Sequence, residues 1–546
     1  MRTIKLFTLA ALMLIFNSVS LFSQKKGMES ITIPELNTHI SFLASDELKG
    51  RDTGDPGLLI AARYLATQAE LIGLKPLDDD LDYYQNYSIV EKGYNLEKSQ
   101  ITVKGRDGSL AVLKDEFFML PPGGASETVI EGELVFAGYG INAEEHNYND
   151  FEDIDIEGKI VLIMNRAPLD EEGNEFLFDS KKWGSMQNFQ YKMQYLAREN
   201  PKAIFIVMDP KSGSGSIADS NPRIADYLRK STGLKEEGEG DIGSDRLKII
   251  MIHRNVADKL LEGSGASLAE LQAEIDRTLS PKSFLIEDKE VKFELFMNED
   301  ELIVPNIFGY IEGSDPILKE EMVIFSAHYD HVGYDDEGNI YNGADDNASG
   351  SVALLEIAEA FMKEKKMPKR SIGFLWVSAE EIGLYGSEYY SSHPLYDLNK
   401  TAAAINLDMV SRRKTDADSE SGRNGLTIVG GDSVKVIGGL QSKVLMDINK
   451  QTLEEMGMYG EYKYNDRYHP DRYFFRSDHI NFVKKDIPVL FYSTGTHADY
   501  HQPEDMVSNL DFDKFLKMTR FSYKVGYNVA NYKGEITVDN PYSKWE

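Results

Sequence analysis

Past residue 306 the chain alternates continuous apolar runs with stretches of helical spacing. The runs Met322–Ala327, Ser371–Val377, Ala402–Leu407 and Ile487–Tyr492 carry almost no polar residue. A strand with one face in water alternates apolar and polar positions; a run without alternation reads as a strand buried on both faces. Between the runs, Ser349–Lys365 places alanines and leucines on one helical face, Leu426–Val429 reads as a short strand, Val434–Met456 as a helix and Phe512–Asn531 as a closing helix. Strand and helix in alternation predict a largely parallel sheet with helices on both faces. Upstream, Ile33–Leu48 has helical spacing and Leu58–Leu74 is strongly amphipathic, with the turn-rich Gly50–Gly54 between them. From about 127 to 285 the texture differs. Short β-like runs (129–140, 159–165, 203–209, 247–252) alternate with loops such as Lys211–Ser216 and Glu236–Ser244. The fold expected is α/β: a mostly parallel mixed sheet flanked by helices, with a small β-rich domain inserted. No internal repeat is visible.

Composition narrows the function classes. The 546 residues suffice for two or three domains. A net charge of −31 argues against nucleic acid, which attracts basic surfaces, and reads as a solubility feature. With no cysteine there is no disulfide, thiolate metal site or cysteine nucleophile. Residues 1–23 combine Arg2 and Lys5, an apolar middle and the small exit residues Ser18, Ser20 and Ser23, the pattern of a secretory signal peptide. An uncleaved anchor is the competing reading, weakened by Asn17, Ser18 and Ser20. Export to the periplasm or cell exterior, without stable membrane association after signal removal, is the expectation. The acidic Asp78–Asp82 reads as a solvated loop, a calcium site being the alternative.

Candidate chemistry lies just beyond the apolar runs, where open α/β sheets gather their ligands. His328 and Asp330 point the same way on an extended segment and suit a metal ligand with its supporting carboxylate. As a lone pair they are equally a surface contact. The segment Gly343–Gly350 (GADDNASG) opens into a helix; its aspartates can serve two cations through one carboxylate, or simply cap the helix. Glu380 and Glu381 bring like charges to a strand end, which a divalent cation would compensate if the pair is buried. Asp408 ends the run 402–407, and His501 lies in Tyr500–Asp505. Together these residues supply two imidazoles and three or more carboxylates, enough for two cations with a shared aspartate; mixed nitrogen and oxygen donors favour zinc, with cobalt or manganese as substitutes.

The order HYD, GADDNASG, SAEEIGLYGS, NLDM, YHQPED resembles the M28 family of zinc peptidases, which includes leucyl-type aminopeptidases. Leu43–Gly54 (LASDELKGRDTG) resembles the start of members with an inserted protease-associated domain, and Gly132–Ile163 resembles that insert. The resemblance implies a zinc-peptidase fold with two zinc ions per chain, held by His328, Asp346, Glu381, Asp408 and His501. Asp346 would be the shared ligand, Asp345 its neighbour, with a cis peptide between Asp346 and Asn347. Asp330 would orient His328, Glu380 would act as general base and then acid on a water activated between the cations, and Tyr500 would stabilise the oxyanion.

The implied division is a signal peptide 1–23, an N-terminal part of the peptidase domain 28–126, the protease-associated insert 127–290, the zinc peptidase domain 291–535 and a tail 536–546. The insert would border the active-site mouth. The expected activity is an exported aminopeptidase acting on peptides. The alternatives are a carboxypeptidase on the same metals, a single-zinc glutaminyl cyclase-like transferase, and a binding protein that has lost its metals. His331 and His497 are read as structural, substrate contact being the alternative; His479 lies in a segment, Arg476–His479, that resembles a recurring family stretch near the substrate pocket, and Arg476 or Asp478 are candidates to read a peptide terminus. Side-chain preference and oligomeric state are not determined by these patterns.

Overall fold

The computed structural model describes residues 26–77, 82–105, 107–114, 117–120, 126–179, 182–183, 189–220, 228–235, 247–420 and 425–545. The segment read as a signal peptide, most of the acidic stretch 78–82 and the loop 236–244 lie outside them. The chain divides into two compact units: one formed by the described residues up to Ile89 with those from Leu302 on, the other by Val90–Glu301. The stretch 127–290 lies within the second. No helix among the described residues is long and apolar enough to cross a membrane.

The first unit is built on the part of β1 (Tyr84–Tyr94) up to Ile89, the part of β2 (Lys289–Ile311) from Leu302 on, and strands β3 (Met322–His328), β4 (Ser371–Val377), β5 (Thr401–Leu407), β6 (Ser433–Gly438), β7 (Tyr459–Glu461) and β8 (Val489–Ser493). They hydrogen-bond in the order β1-β2-β4-β3-β5-β8-β6-β7. The four central strands, β4, β3, β5 and β8, run parallel, while β2 and β6 pair antiparallel to β4 and β8. The sheet is therefore mixed with a parallel centre. Every residue of β3, β4 and β8 is buried, which is why their sequences lack alternation. Phe325 and Phe374 stack across adjacent strands at 5.6 Å.

Helices α1 (Ile33–Leu43), α2 (Pro56–Ile72), α3 (Gly350–Met362), α4 (Tyr385–Ser392), α5 (Lys443–Met456), α6 (His479–Val483) and α7 (Phe512–Asn531) complete the unit. Helix α3 is apolar nearly all round and almost wholly buried, as its sequence requires; it packs against β3, α1, α2 and α7. The expectation at 426–456 needs correction. Residues 426–429 form no strand, the strand is Ser433–Gly438, and the helix begins only at Lys443, with Ser442 capping it through a bond from Leu445 N–H. Val434 and Val436 alternate with Ser433 and Lys435, a two-residue period that the apolar count over the longer window hid.

One buried carboxyl gives this unit a pH dependence. Glu356 on α3 is 1 % exposed. Burial pushes it from the ordinary 4.5 up to about 8, with Glu35 and Glu359 adding to the rise. Between those values the folded protein keeps a proton that the unfolded chain has released, so rising pH destabilises the fold. We expect the unfolding free energy of the wild type to fall from pH 5 to pH 8 more steeply than that of Glu356→Gln, by up to about 1.4 kcal/mol per pH unit. Parallel slopes for the two proteins would exclude this residue as the source.

The second unit holds a six-stranded sheet in the order Ser283–Leu285, Leu134–Ala137, Ile160–Met164, Ala203–Val207, Ile249–Ile252, Phe117–Leu120. Its four inner strands are parallel and its two edge strands antiparallel. Helices Phe189–Arg198, Arg254–Leu261 and Leu268–Thr278 belong to the same unit.

Candidate metal centre

Three of the parallel strands release metal-seeking side chains where they end. β3 ends on His328, β4 is followed by Ser378–Glu381, and β5 is followed by Asp408. The loop after β8 brings His501, and the turn leading into α3 brings Asp346. Parallel direction puts these termini on one edge of the sheet, so residues separated by up to 173 positions (His328 to His501) meet in space.

The donor atoms fall into two groups that share Asp346. In the first, His328 Nε2 lies 3.4 Å from Asp346 Oδ1 and 3.5 Å from Asp408 Oδ1. In the second, His501 Nε2 lies 3.1 Å from Asp346 Oδ2 and 3.1 Å from Glu381 Oε2. All five residues named from the sequence as ligands are thus brought together, with one oxygen of Asp346 facing each group. The peptide bond between Asp346 and Asn347 is cis. Glu380 stands slightly apart, its Oε2 4.0 Å from His328 Nε2. Asp330 Oδ1 is 3.6 Å from His328 Nδ1, beyond hydrogen-bond distance, and Oδ2 accepts the Glu381 N–H at 3.1 Å. Its carboxylate therefore bridges the region of His328 and the backbone of Glu381. Tyr500 stacks on the ring of His501, centroids 3.9 Å apart.

So many carboxylates in one buried place reshape one another's titration. Burial pushes Glu380 upward; His328 opposes, Glu381, Asp478 and Asp408 add to the push, and the net lies well above the ordinary range. Asp478 is fully buried with no hydrogen-bond partner for either oxygen among the described residues, and burial raises it to about 7. For His501, burial lowers the imidazole, but its contacts with Asp346 and Glu381 outweigh that and hold it at about 10. The protein by itself recruits imidazolium charge to offset its carboxylates, the position a divalent cation takes over.

Beside the donors opens a narrow cleft, lined among others by Glu380, Tyr473, Arg476, Phe491, Thr496 and Tyr500. It combines an acidic floor with aromatic walls and one guanidinium. Of the aromatic stretch 459–475, only Tyr473 reaches it.

Residues 306–525, which contain all of these side chains, match the profile of Peptidase family M28. This segment belongs to peptidase family M28. Leucine aminopeptidase 2 of Trichophyton equinum is 25% identical over 248 residues, covering 42% of this chain and 44% of its own. Aminopeptidase Y of Saccharomyces cerevisiae is 26% identical over 239 residues, 42% of this chain and 38% of its own. The chain thus spans less than half the length of these relatives. The solved aminopeptidase from Aneurinibacillus sp. strain AM-1 aligns with 95% of this chain and 98% of its own at 18% identity and a TM-score of 0.49.

The M28 donor set fits divalent cations on its own chemistry. His328 Nε2 is buried and has no hydrogen-bond partner among the described residues, although two carboxylate oxygens face it. An orphaned buried nitrogen between acceptors is what a ligand position looks like. Donor separations of 3.1–3.5 Å suit atoms each about 2.0–2.2 Å from a common ion.

Several residues that hold the M28 site were not identified from sequence. Asp505 accepts the N–H groups of Asp345 at 3.0 Å and Asp346 at 3.0 Å, fixing the turn from which Asp346 projects. Asp345 itself accepts from Ser411 N–H and Oγ, and Ser477 Oγ donates to Asp408 Oδ2 at 2.7 Å. Most distant in sequence is Arg51, 1 % exposed. Its guanidinium donates to four backbone carbonyls: Tyr329 at 2.8 Å, Leu43 at 2.5 Å, Asn342 at 2.7 Å and Gly343 at 3.0 Å. It ties the loop after His328 to the loop before Asp345. Gly50 beside it has φ +72°, and a Cβ there would lie 2.2 Å from Gly333 O. Burial draws Arg51 down to about 10, with Asp330, Asp346, Asp505 and Glu381 opposing the fall.

Lysine at position 51 keeps the charge but not the fork. Each carbonyl left unpaired costs about 1–3 kcal/mol, so Arg51→Lys should lower the melting temperature by several degrees. A melting curve superimposable on the wild type would show that the loops hold without it.

Proposed function

We propose that this chain is a two-zinc aminopeptidase. The observation that carries the reading is the pair of donor groups sharing Asp346 at the edge of a cleft that contains a partly buried, unshared glutamate. Nitrogen and oxygen donors in this mixture favour zinc. His328, Asp346 and Asp408 would hold one ion, and Asp346, Glu381 and His501 the other. When bound, such ions supply Lewis acidity that polarises a scissile carbonyl and makes water nucleophilic near neutral pH.

The remaining work falls to side chains. Glu380 Oε2 takes the proton of the attacking water as the C–O bond forms, and then delivers it to the nitrogen of the leaving amine as the C–N bond breaks. Tyr500 donates its hydroxyl hydrogen toward the carbonyl oxygen as negative charge develops there. Asp330 orients His328 through its main-chain oxygen, 3.3 Å from Nδ1, and its carboxylate anchors the backbone of Glu381. The acidic floor of the cleft suits a free, positively charged N-terminus, and Tyr473 and Phe491 suit an apolar first side chain. The curated relatives that share this domain carry aminopeptidase names. The N-terminal pattern supports export, and the resemblance of 132–163 supports reading the inserted unit as a protease-associated domain.

A carboxypeptidase is the second reading, because Arg476 in the cleft could clamp a free carboxylate. Aminoacyl-nitroanilides and short peptides, each with free and with blocked N-termini, separate the two. The aminopeptidase reading expects hydrolysis of unblocked substrates only, lost with chelator and restored by zinc. Stepwise release of residues from the C-terminus of N-blocked peptides would replace it with the carboxypeptidase.

A further inference from the structure

Glu381 has two carboxylate oxygens, and each meets a different imidazole. His501 Nε2 is 3.1 Å from Oε2, the oxygen on the side of Asp346. His331 Nδ1 is 2.8 Å from Oε1. His331 is completely buried, and its Nε2 has no hydrogen-bond partner among the described residues. An ionised carboxylate can only accept, so the short contact places the ring hydrogen on Nδ1.

We propose that His331 is a positioning residue whose Nδ1–H holds Oε1 of Glu381, so that Oε2 alone is turned toward Asp346 and His501. The inference rests on the metal-centre reading above and adds a residue to it.

The surroundings leave the His331 ring little freedom. Its backbone N–H donates to Arg51 O at 3.2 Å. Its face lies against Gly343, which has φ +56°; a Cβ at that position would come within 2.5 Å of the ring atoms Cγ and Cδ2. On another side the ring of His501 stands edge-on, at 5.3 Å and 80°. Glu381 has a long side chain with several rotamers, and a carboxylate that rotates would exchange its two oxygens. A donor dedicated to Oε1 removes that ambiguity. The same loop controls the glutamate twice, since Asp330 Oδ2 takes the Glu381 N–H. Ligating carboxylates are commonly held by a further hydrogen bond of this kind.

His331 Nδ1 is also 3.7 Å from Asp346 Oδ2 and belongs to the same donor group as Asp346, Glu381 and His501. A direct ligand role is therefore the competing account. The distances favour positioning: the nearest oxygen, at 2.8 Å, is Oε1 and not the oxygen that faces the other donors.

The test uses the full-length protein, freed of metal and titrated with zinc against a chromophoric chelator, beside His331→Ala and His331→Asn. The asparagine amide nitrogen stands where Nδ1 stands and can donate the same bond. The wild type should bind two equivalents. His331→Ala should bind one of them about 10–100-fold more weakly and the other unchanged, with kcat lowered more than KM is raised. His331→Asn should recover most of the affinity, and its cobalt-loaded absorption spectrum should match the wild type, because no ligand is lost. Equal zinc affinities for His331→Ala and wild type would overturn the proposal. An Asn variant that stays weak and shows an altered cobalt spectrum would also overturn it, in favour of direct ligation. A wild type that binds no zinc would overturn the metal-centre reading itself, a distinct outcome.

Discussion

Glu380→Gln is expected to keep both cations and lose nearly all turnover. The side chain is the one carboxylate of the cleft that neither donor group needs. His328 Nε2 is closer to Asp346 and Asp408, at 3.4 and 3.5 Å, than to Glu380 at 4.0 Å. Glu380 can be grouped with His328 and Glu381 as a third set of donors, but that set lacks the shared aspartate and its distances are longer. Glutamine preserves shape and removes the basic oxygen. General acid–base catalysis is worth about 10²–10⁴ in rate, so kcat should fall by that factor with zinc content still at two equivalents. The measurement is steady-state kinetics with metal analysis on the same preparation. A glutamine variant that loses an ion would make Glu380 a ligand, and one with near-normal kcat would remove it from the chemistry.

The second large effect is expected at Asp346. Its two oxygens face the two donor groups separately, toward His328 and toward His501. Asparagine is isosteric but neutral, and can present only one oxygen. Asp346→Asn should therefore weaken both ions together, by more than the roughly 10–100-fold that outer partners alone contribute. Asp408→Asn and Glu381→Gln should each weaken one. The turn itself should survive, because Asp505 holds it through backbone N–H groups that the substitution leaves in place. Equilibrium zinc binding to the three variants checks this. If Asp346→Asn retained one ion at wild-type affinity, the shared role would be lost.

The residues found from sequence and those missed differ in what they bond to. His328, Glu381, Asp408 and His501 drew notice as acidic or imidazole groups at strand ends or in the loops beyond them, and the set of five, with Asp346 as the shared member, followed from the resemblance of their motifs to the M28 order. Arg51, His331 and Asp505 were not legible in this way. Arg51 bonds only to carbonyl oxygens, and Asp505 to backbone N–H groups, which every residue offers whatever its side chain. His331 follows Asp330 directly, and nothing in the string HYDH tells which imidazole meets which carboxylate. The aromatic stretch 459–475 showed the same limit, since one ring of it lines the cleft while the others pack elsewhere or, like Tyr459 and Tyr468, stand exposed.

The sequence by itself determined the central strands, several of the helices and the candidate donors. Continuous apolar runs require strands covered on both faces, the even apolar coat of α3 requires burial, and Phe512–Asn531 was bounded as a helix at both ends, because local periodicity and solvent avoidance act over a few residues at a time. Tertiary structure alone decided which oxygen of Asp346 faces which histidine, that Glu380 stands back from the donors, and that a guanidinium some 280 residues upstream fastens the two ligand loops. Those are facts of distance and direction at the ångström scale. They depend on strand order and loop packing, which no window of residues along the chain contains.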